Sequence, residues 1–389
     1  ADLGMEKLTV YSKRPSKDGN AVENVQIDFE NISGTNFTLR SRIPSGQSVK
    51  PMNQYEAKVV RARQRGTVYP YEIIKMITRS GYQLQETFPK GEFEEFDIRI
   101  DPETGSQTAV SVKGREYGGN EGNVVFGIIT NYVNTHPKGI RRVLVLSDTT
   151  SDMGSLSEPE CRRINAAIEL AESTGLPMEW LPVSAGAKIE MESGTENLDW
   201  TARTLKRIIE FTEGGGEINI IVAGINVGAQ SYWNAEATML MHTRGLLITI
   251  DDAAMLLTGK KALDFSGSVS AEGNIGIGGL KRIMGPNGQA QLPARSLYHA
   301  YSMLLTHYAL TSVAPGSKYP QRIETQDPSR RDIGKTPYED LLGQGFSSIA
   351  DIFSSRLNPE RKKPFDMRQL MRALIDTDSP YLERWSELQ

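Results

Sequence analysis

The chain holds one cysteine, Cys161, in 389 residues. That excludes an intrachain disulfide framework and any zinc site built from several thiolates. A reducing, cytoplasmic setting is therefore expected. No apolar run is long enough to span a bilayer, and the N-terminus has no charged-then-apolar signal pattern. Charge of one sign is lacking too: 44 Lys+Arg stand against 48 Asp+Glu, so neither nucleic acid nor an anionic membrane is indicated as a partner. There is no G-x-G-x-x-G after the first strand, no G-x-x-x-x-G-K-[ST] and no G-x-S-x-G elbow. Dinucleotide binding, P-loop hydrolysis and serine-hydrolase chemistry thus go unsupported. The histidines, His136, His242, His299 and His307, are scattered without metal-ligand spacing. Cys161 lies inside an amphipathic helical stretch and reads as a buried structural thiol.

What the chain has is glycine, 36 residues of it, placed where strand-like runs end. The run Ile218-Asn219-Ile220-Ile221-Val222 is apolar on both faces and too short for a helix, so it predicts a buried strand. Gly224 and Gly228-Ala229 follow, then a helical segment over 231–242. Two readings stand for Gly228-Ala229: a plain turn, or backbone N–H donors brought to a ligand at a helix start. Upstream, 142–148 predicts another buried strand. Ser157-Glu158-Pro159-Glu160 predicts a helix start with a capping box. Ile164, Ala167, Ile168 and Ala171 share one helical face, and Gly175 with Pro177 closes it. A strand over 178–183 runs into Ser184-Ala185-Gly186-Ala187-Lys188. After 218–224 come the 231–243 helix, a strand over 246–249 and a helix opened by Asp251-Asp252. Repeated strand–helix units predict an α/β layered domain.

The flanks read differently. Residues 1–60 mix short β-like pieces, 8–11 and 37–40, with polar turns, and form a β-rich N-terminal extension. The opening Ala1 is not Met, so the chain is expected to be processed or a piece of something longer. Asp101-Pro102-Glu103-Thr104-Gly105 marks a hairpin. Arg61, Arg63 and Arg65 are either a solvated face or an anion site for a phosphorylated ligand. The glycine-dense 273–288 reads as an ordered loop near a ligand or partner, because Ile275, Ile277, Leu280 and Ile283 interleave its glycines. Residues 294–310 predict an amphipathic helix, 315–337 a loop, and 367–375 a short helix. The domain boundaries expected are 1–60, 61–335 and a helical tail at 336–389. No side-chain acid–base or nucleophile constellation emerges. Backbone donors suit chemistry in which the substrate supplies the proton acceptor.

These residues carry a family resemblance. The segments 143–148 with Met153-Gly154-Ser155, Thr174-Gly175-Leu176-Pro177 leading to Ser184-Ala185-Gly186-Ala187-Lys188-Ile189, the 224–229 turn, and Leu257-Thr258-Gly259 followed by Gly278-Gly279 resemble the carboxyltransferase component of biotin-dependent acyl-CoA carboxylases. The stretch 61–71, through Arg61, Gly66, Thr67, Tyr69 and Tyr71, is similar to the opening segment of the multidomain acetyl-CoA carboxylase type. The resemblance implies a crotonase-like fold of repeated ββα units. It implies the acyl-CoA-binding N-terminal half of the enzyme, with Gly228 and Ala229 as backbone donors to the thioester oxygen. It further implies substrate contacts at Lys188, Gly186, Ala187, Gly278, Gly279 and Arg61. Biotin would arrive as carboxybiotin on a carrier, with no attachment site in this chain. The implied partners are acyl-CoA, biotin carboxyl carrier and biotin carboxylase domains or subunits, and a second carboxyltransferase half, in a dimer or higher oligomer. Two departures are present: Lys188 stands where the family has arginine, and Glu190 where it has glycine. Two alternatives remain. One is a hydratase, isomerase or decarboxylase on the same fold, for which Glu236 is the nearest acid; the other is a non-catalytic acyl-CoA-binding scaffold.

Overall fold

In the computed structural model, the residues described are 7–16, 21–30, 38–44, 52–79, 88–133, 136–189, 195–239, 243–267, 272–313, 317–322 and 324–388. His242 and Glu190 lie outside them. In chain order the strands are β1 (Lys7–Pro15), β2 (Val22–Glu30), β3 (Thr38–Arg42), β4 (Gly91–Ile100), β5 (Gln107–Ser111), β6 (Val124–Val133), β7 (His136–Ser147), β8 (Met178–Leu181), β9 (Ile218–Val222), β10 (Ile225–Val227), β11 (Leu247–Ile250), β12 (Ala254–Leu256) and β13 (Leu292–Ala294). The α-helices are α1 (Gln54–Gln64), α2 (Pro70–Thr78), α3 (Glu158–Thr174), α4 (Glu196–Glu213), α5 (Ala229–Ala237), α6 (Lys260–Phe265), α7 (Asn274–Gly278), α8 (Leu297–Thr311), α9 (Ile349–Ile352) and α10 (Met367–Leu374).

The protein is mixed α/β. Among the described residues an eight-stranded sheet runs β13-β11-β9-β8-β7-β6-β4-β5. β7, β8, β9, β11 and β13 pair in parallel, and β4 pairs antiparallel with both β5 and β6. Each parallel step needs a crossover; α3 supplies that from β7 to β8, and α4 that from β8 to β9. β8 and β9 are buried at every position, as apolar runs covered on both faces must be. The core joins Val143, Val145, Ile164, Ile168, Trp180, Ile208, Ile220 and Trp233. Inside it β7 and β8 share one ion pair: Arg142 Nε donates to Glu179 Oε2 at 2.8 Å, and both side chains are shut off from water. β13 ends the sheet with Pro293 at its centre.

A second sheet of two strands, with isolated bridges beside it, carries short segments that follow β7, β8, β9 and β11. β10 pairs in parallel with β12, Ser184 bridges Asn226 in parallel, Leu156 bridges Ala187 in parallel, and Ala254 bridges Gly279 antiparallel. The N-terminal strands form a separate antiparallel sheet, β1-β2-β3.

Helix ends follow the chemistry of the sequence. Glu160 reaches back to the Ser157 N–H at 3.1 Å, and Gly175 closes α3 in the left-handed region at φ 65°. Two expectations fail. The helix expected from Asp251-Asp252 is a turn followed by β12, because pairing with β10 outweighs the helix propensity of Ala-Ala-Met-Leu-Leu. The expected loop at 273–288 contains α7 and a π-helical turn at Leu280–Met284. The 231–242 helix begins earlier, at Ala229, and α5 ends at Ala237.

The chain divides into two compact units. The first draws on Ala1–Val133, Pro137–Ser302 and Arg384–Gln389, and the second on Asn134–His136 and Met303–Glu383. The second has its own small core of Tyr338, Phe346, Ile349, Ile352 and Ala373, where the Tyr338 hydroxyl accepts the Asp366 N–H at 2.7 Å.

Candidate active site

β10 delivers the chain to Gly228, whose backbone (φ 61°, ψ −125°) is open to glycine and strained for any other residue. This bend lets α5 start at once. The Gly228 N–H donates to Leu256 O at 2.8 Å. Within the described residues the Gly228 N–H is thus engaged by the β12 ladder. Ala229 and Gln230, the first two residues of α5, find no acceptor for their N–H groups among the described residues. Orphan donors of this kind are what a helix start offers to negative charge.

A second turn meets the first. The Ser184 hydroxyl accepts the Gly186 N–H at 3.0 Å, Leu156 N–H donates to Gly186 O at 2.8 Å, and Lys188 N–H to Leu156 O at 2.8 Å. In a parallel bridge of this pattern the intervening residue turns its own N–H to the other side. Ala187 thus points its N–H away from Leu156, and no described residue accepts it. On that other side the two turns abut: a Cβ added to Gly186 would stand 3.2 Å from Val227 O and 3.9 Å from Gly228 Cα. Leu257 and Tyr232 are exposed beside the turn.

Lys188 pairs with a residue not foreseen, Asp152, at 3.2 Å from Nζ to Oδ2. Asp152 (φ 40°) and Met153 (φ 55°) both hold left-handed backbone, and Gly154 follows so closely on Val183 O that a Cβ would lie 2.4 Å from it. Left-handed backbone at consecutive non-glycine residues is costly and is kept only where its surroundings impose it. Ser-Asp-Met-Gly gave one usable signal, an Asp in a glycine-ended turn. With Lys188 32% and Asp152 57% exposed, the pair contributes at most about 1 kcal/mol.

The other expected residues make packing and backbone contacts of their own. Arg61 reaches Thr150 O at 3.4 Å and Arg65 donates to Thr149 O, while the Thr67 and Thr149 hydroxyls lie 2.6 Å apart. These arginines brace the segment after β7 through its carbonyls. Gly278 and Gly279 lie beneath β12: a Cβ on Gly278 would stand 2.1 Å from Met255 O, so its small size serves close packing. Glu236 sits in the last turn of α5, roughly 12 Å along the axis from Gly228. Cys161 is buried in α3, where burial pushes its thiol up to about 12, which removes it as a nucleophile near neutral pH. Among the described residues no group of three or more His, Cys, Asp or Glu side chains could hold a metal ion, and no helix is long and apolar enough to cross a membrane.

Two comparisons bear on this arrangement. The profile of a family described as the carboxyl transferase domain matches residues 45–388. A stretch of 141 residues, 35% of this chain, is 28% identical to acetyl-CoA carboxylase of Saccharomyces cerevisiae, and it spans 6% of that protein's length.

Proposed function

Because the chain belongs to the carboxyl transferase domain family, matched over residues 45–388, we propose that it is the acyl-CoA-binding half of a carboxyltransferase, moving a carboxyl group from carboxybiotin to the α-carbon of an acyl-CoA. The observation that carries this reading is the meeting of two turns with unpaired backbone donors, Ala187 and Ala229. A thioester oxygen gains negative charge as its α-proton leaves. Two N–H groups aimed at that oxygen stabilise the enolate, each donor contributing a factor of roughly 10²–10³ in rate. The dipole of α5 adds in the same sense. Leu257 and Tyr232 offer apolar surface beside the turn for the acyl chain or the arm that carries it.

The repeated order of long strand, short second-sheet segment and helix supports a crotonase-like fold. Carboxybiotin, when delivered, supplies the carboxyl group and a nitrogen that takes the α-proton. One pair of backbone donors serves one oxygen, so carboxybiotin is assigned to a second carboxyltransferase half, and the residues here bind and orient the acyl-CoA. A biotin carrier and a biotin carboxylase complete the set of partners, with cytoplasmic dimers or larger oligomers as the working assembly. A hydratase-type reaction is less well supported, since Glu236 stands two helical turns from Gly228 and the Asp152 carboxylate is engaged by Lys188. The test is isothermal titration of the chain with acetyl-CoA, longer acyl-CoAs and free CoA. Saturable binding that favours an acyl thioester over free CoA is expected. Equal affinity for free CoA and every acyl-CoA would overturn the thioester role of the turn.

A further inference from the structure

Ser231 lies at the third position of α5, where its hydroxyl joins three elements. Oγ stands 2.9 Å from Asn226 O on β10 and 3.0 Å from Leu256 O on β12, and it accepts the Leu256 N–H at 3.1 Å. The Ser231 N–H also closes the turn onto Gly228 O at 3.0 Å. Leu256 O is thus shared by the Ser231 hydroxyl and the Gly228 N–H, which holds the Val227–Gly228 peptide, one before the peptide that carries the Ala229 N–H. A serine inside a helix usually bonds back to its own preceding turn. Here it ties the helix start to two strands of the small sheet.

We infer that Ser231 is a positioning residue for the acyl thioester: by tying Asn226 and Leu256 to the first turn of α5, its hydroxyl sets the direction of the Ala229 N–H. This rests on the acyl-CoA reading above. Alanine at this position removes the tie and leaves the Leu256 N–H without its acceptor. Threonine keeps the hydroxyl. Neither change removes the Ala229 N–H itself, so the effect falls on its aim. Misplacement of a reacting group by about 1 Å costs up to roughly 100-fold in rate.

The readout is the carbonyl stretch of ¹³C-labelled acetyl-CoA bound to this chain, followed by isotope-edited infrared difference spectroscopy, with circular dichroism to verify folding. The wild-type chain is expected to shift the stretch to lower frequency relative to free acetyl-CoA. Ser231→Ala is expected to lose most of that shift while still binding acetyl-CoA, and Ser231→Thr to keep it. A shift retained in folded Ser231→Ala overturns the role of Ser231 and leaves the acyl-CoA reading standing. If Ser231→Ala fails to fold, Ser231→Thr decides: a folded threonine variant without the shift overturns the proposal. Absence of the shift in the wild-type chain sinks the oxyanion reading, and this inference with it.

Discussion

Ala229→Pro separates the donor from the fold. Ala229 is the first residue of α5 and its N–H has no partner among the described residues, so a proline ring there breaks no intramolecular hydrogen bond. The residue before a proline is restricted by its own Cβ and N–H. Here that residue is Gly228, which has no Cβ and whose φ of 61° and ψ of −125° mirror the extended region. Stability should therefore change by less than about 1 kcal/mol. Catalysis should not be spared. Loss of one donor to a developing oxyanion costs roughly 10²–10³ in kcat, or about 2.7–4 kcal/mol. Some rate above background persists through Ala187. The assay is carboxyl transfer to acetyl-CoA by this chain with its complementary half and a carboxylated carrier, with urea unfolding as the control for the fold. Ala229→Gly, which keeps the N–H, should work near the wild-type rate. A folded Ala229→Pro enzyme turning over at that rate refutes the reasoning.

Three further outcomes follow from the packing. Glu179→Ala leaves the buried Arg142 charge without its carboxylate and should cost about 3–5 kcal/mol in urea unfolding, whereas replacing both partners with apolar residues of similar volume should recover most of it. Burial raises the Asp97 pKa, but hydrogen bonding from Arg115 and the charge of Arg163 outweigh it and hold the carboxyl below its ordinary value. Its contribution is therefore full above the unfolded pKa, about 3.9, and is lost as pH falls through the folded value; Asp97→Asn should flatten the acid limb of stability measured by fluorescence between pH 5 and pH 2. Gly278→Ala drives a Cβ against Met255 O and should cost about 1–3 kcal/mol; unchanged melting with weakened acyl-CoA binding would instead make Gly278 a ligand contact.

Where local signals and tertiary pairing agree, the sequence was readable. Ser157 and Glu160 marked the start of α3, Gly175 its end, and the β-branched run at 218–222 the central β9. The β4–β5 hairpin was announced by Asp101, whose side chain accepts the Glu103 N–H at 2.8 Å. Reading failed where a partner strand or a tight contact made the choice. Residues 254–256 carry helix formers, and pairing with β10 makes them a strand. Gly276, Gly278 and Gly279 looked like loop glycines, yet they lie in or beside helical turns packed under β12. The two glycine turns at 184–188 and 224–229 were legible from their glycines and their order. Which N–H is left unbonded in them was not, because that depends on the Gly228–Leu256 bond, made across 28 residues of chain. Asp152 beside Lys188 likewise required the segment after β7 to fold along 183–188.

Pro293 has a consequence far from any chemistry. An open sheet margin is a template on which a stray extended segment can crystallise, copy after copy. Ala294 O faces inward and accepts the Asp251 N–H at 3.0 Å, so its neighbour Pro293 presents the outer margin with a nitrogen that carries no hydrogen. The Trp385 N–H covers the next position by donating to Gln291 O at 2.7 Å, and its indole is fastened to Gly288 O at 3.0 Å. Growth of the sheet is thereby disfavoured at β13, and this margin is expected to be a poor seed for fibrils at high concentration.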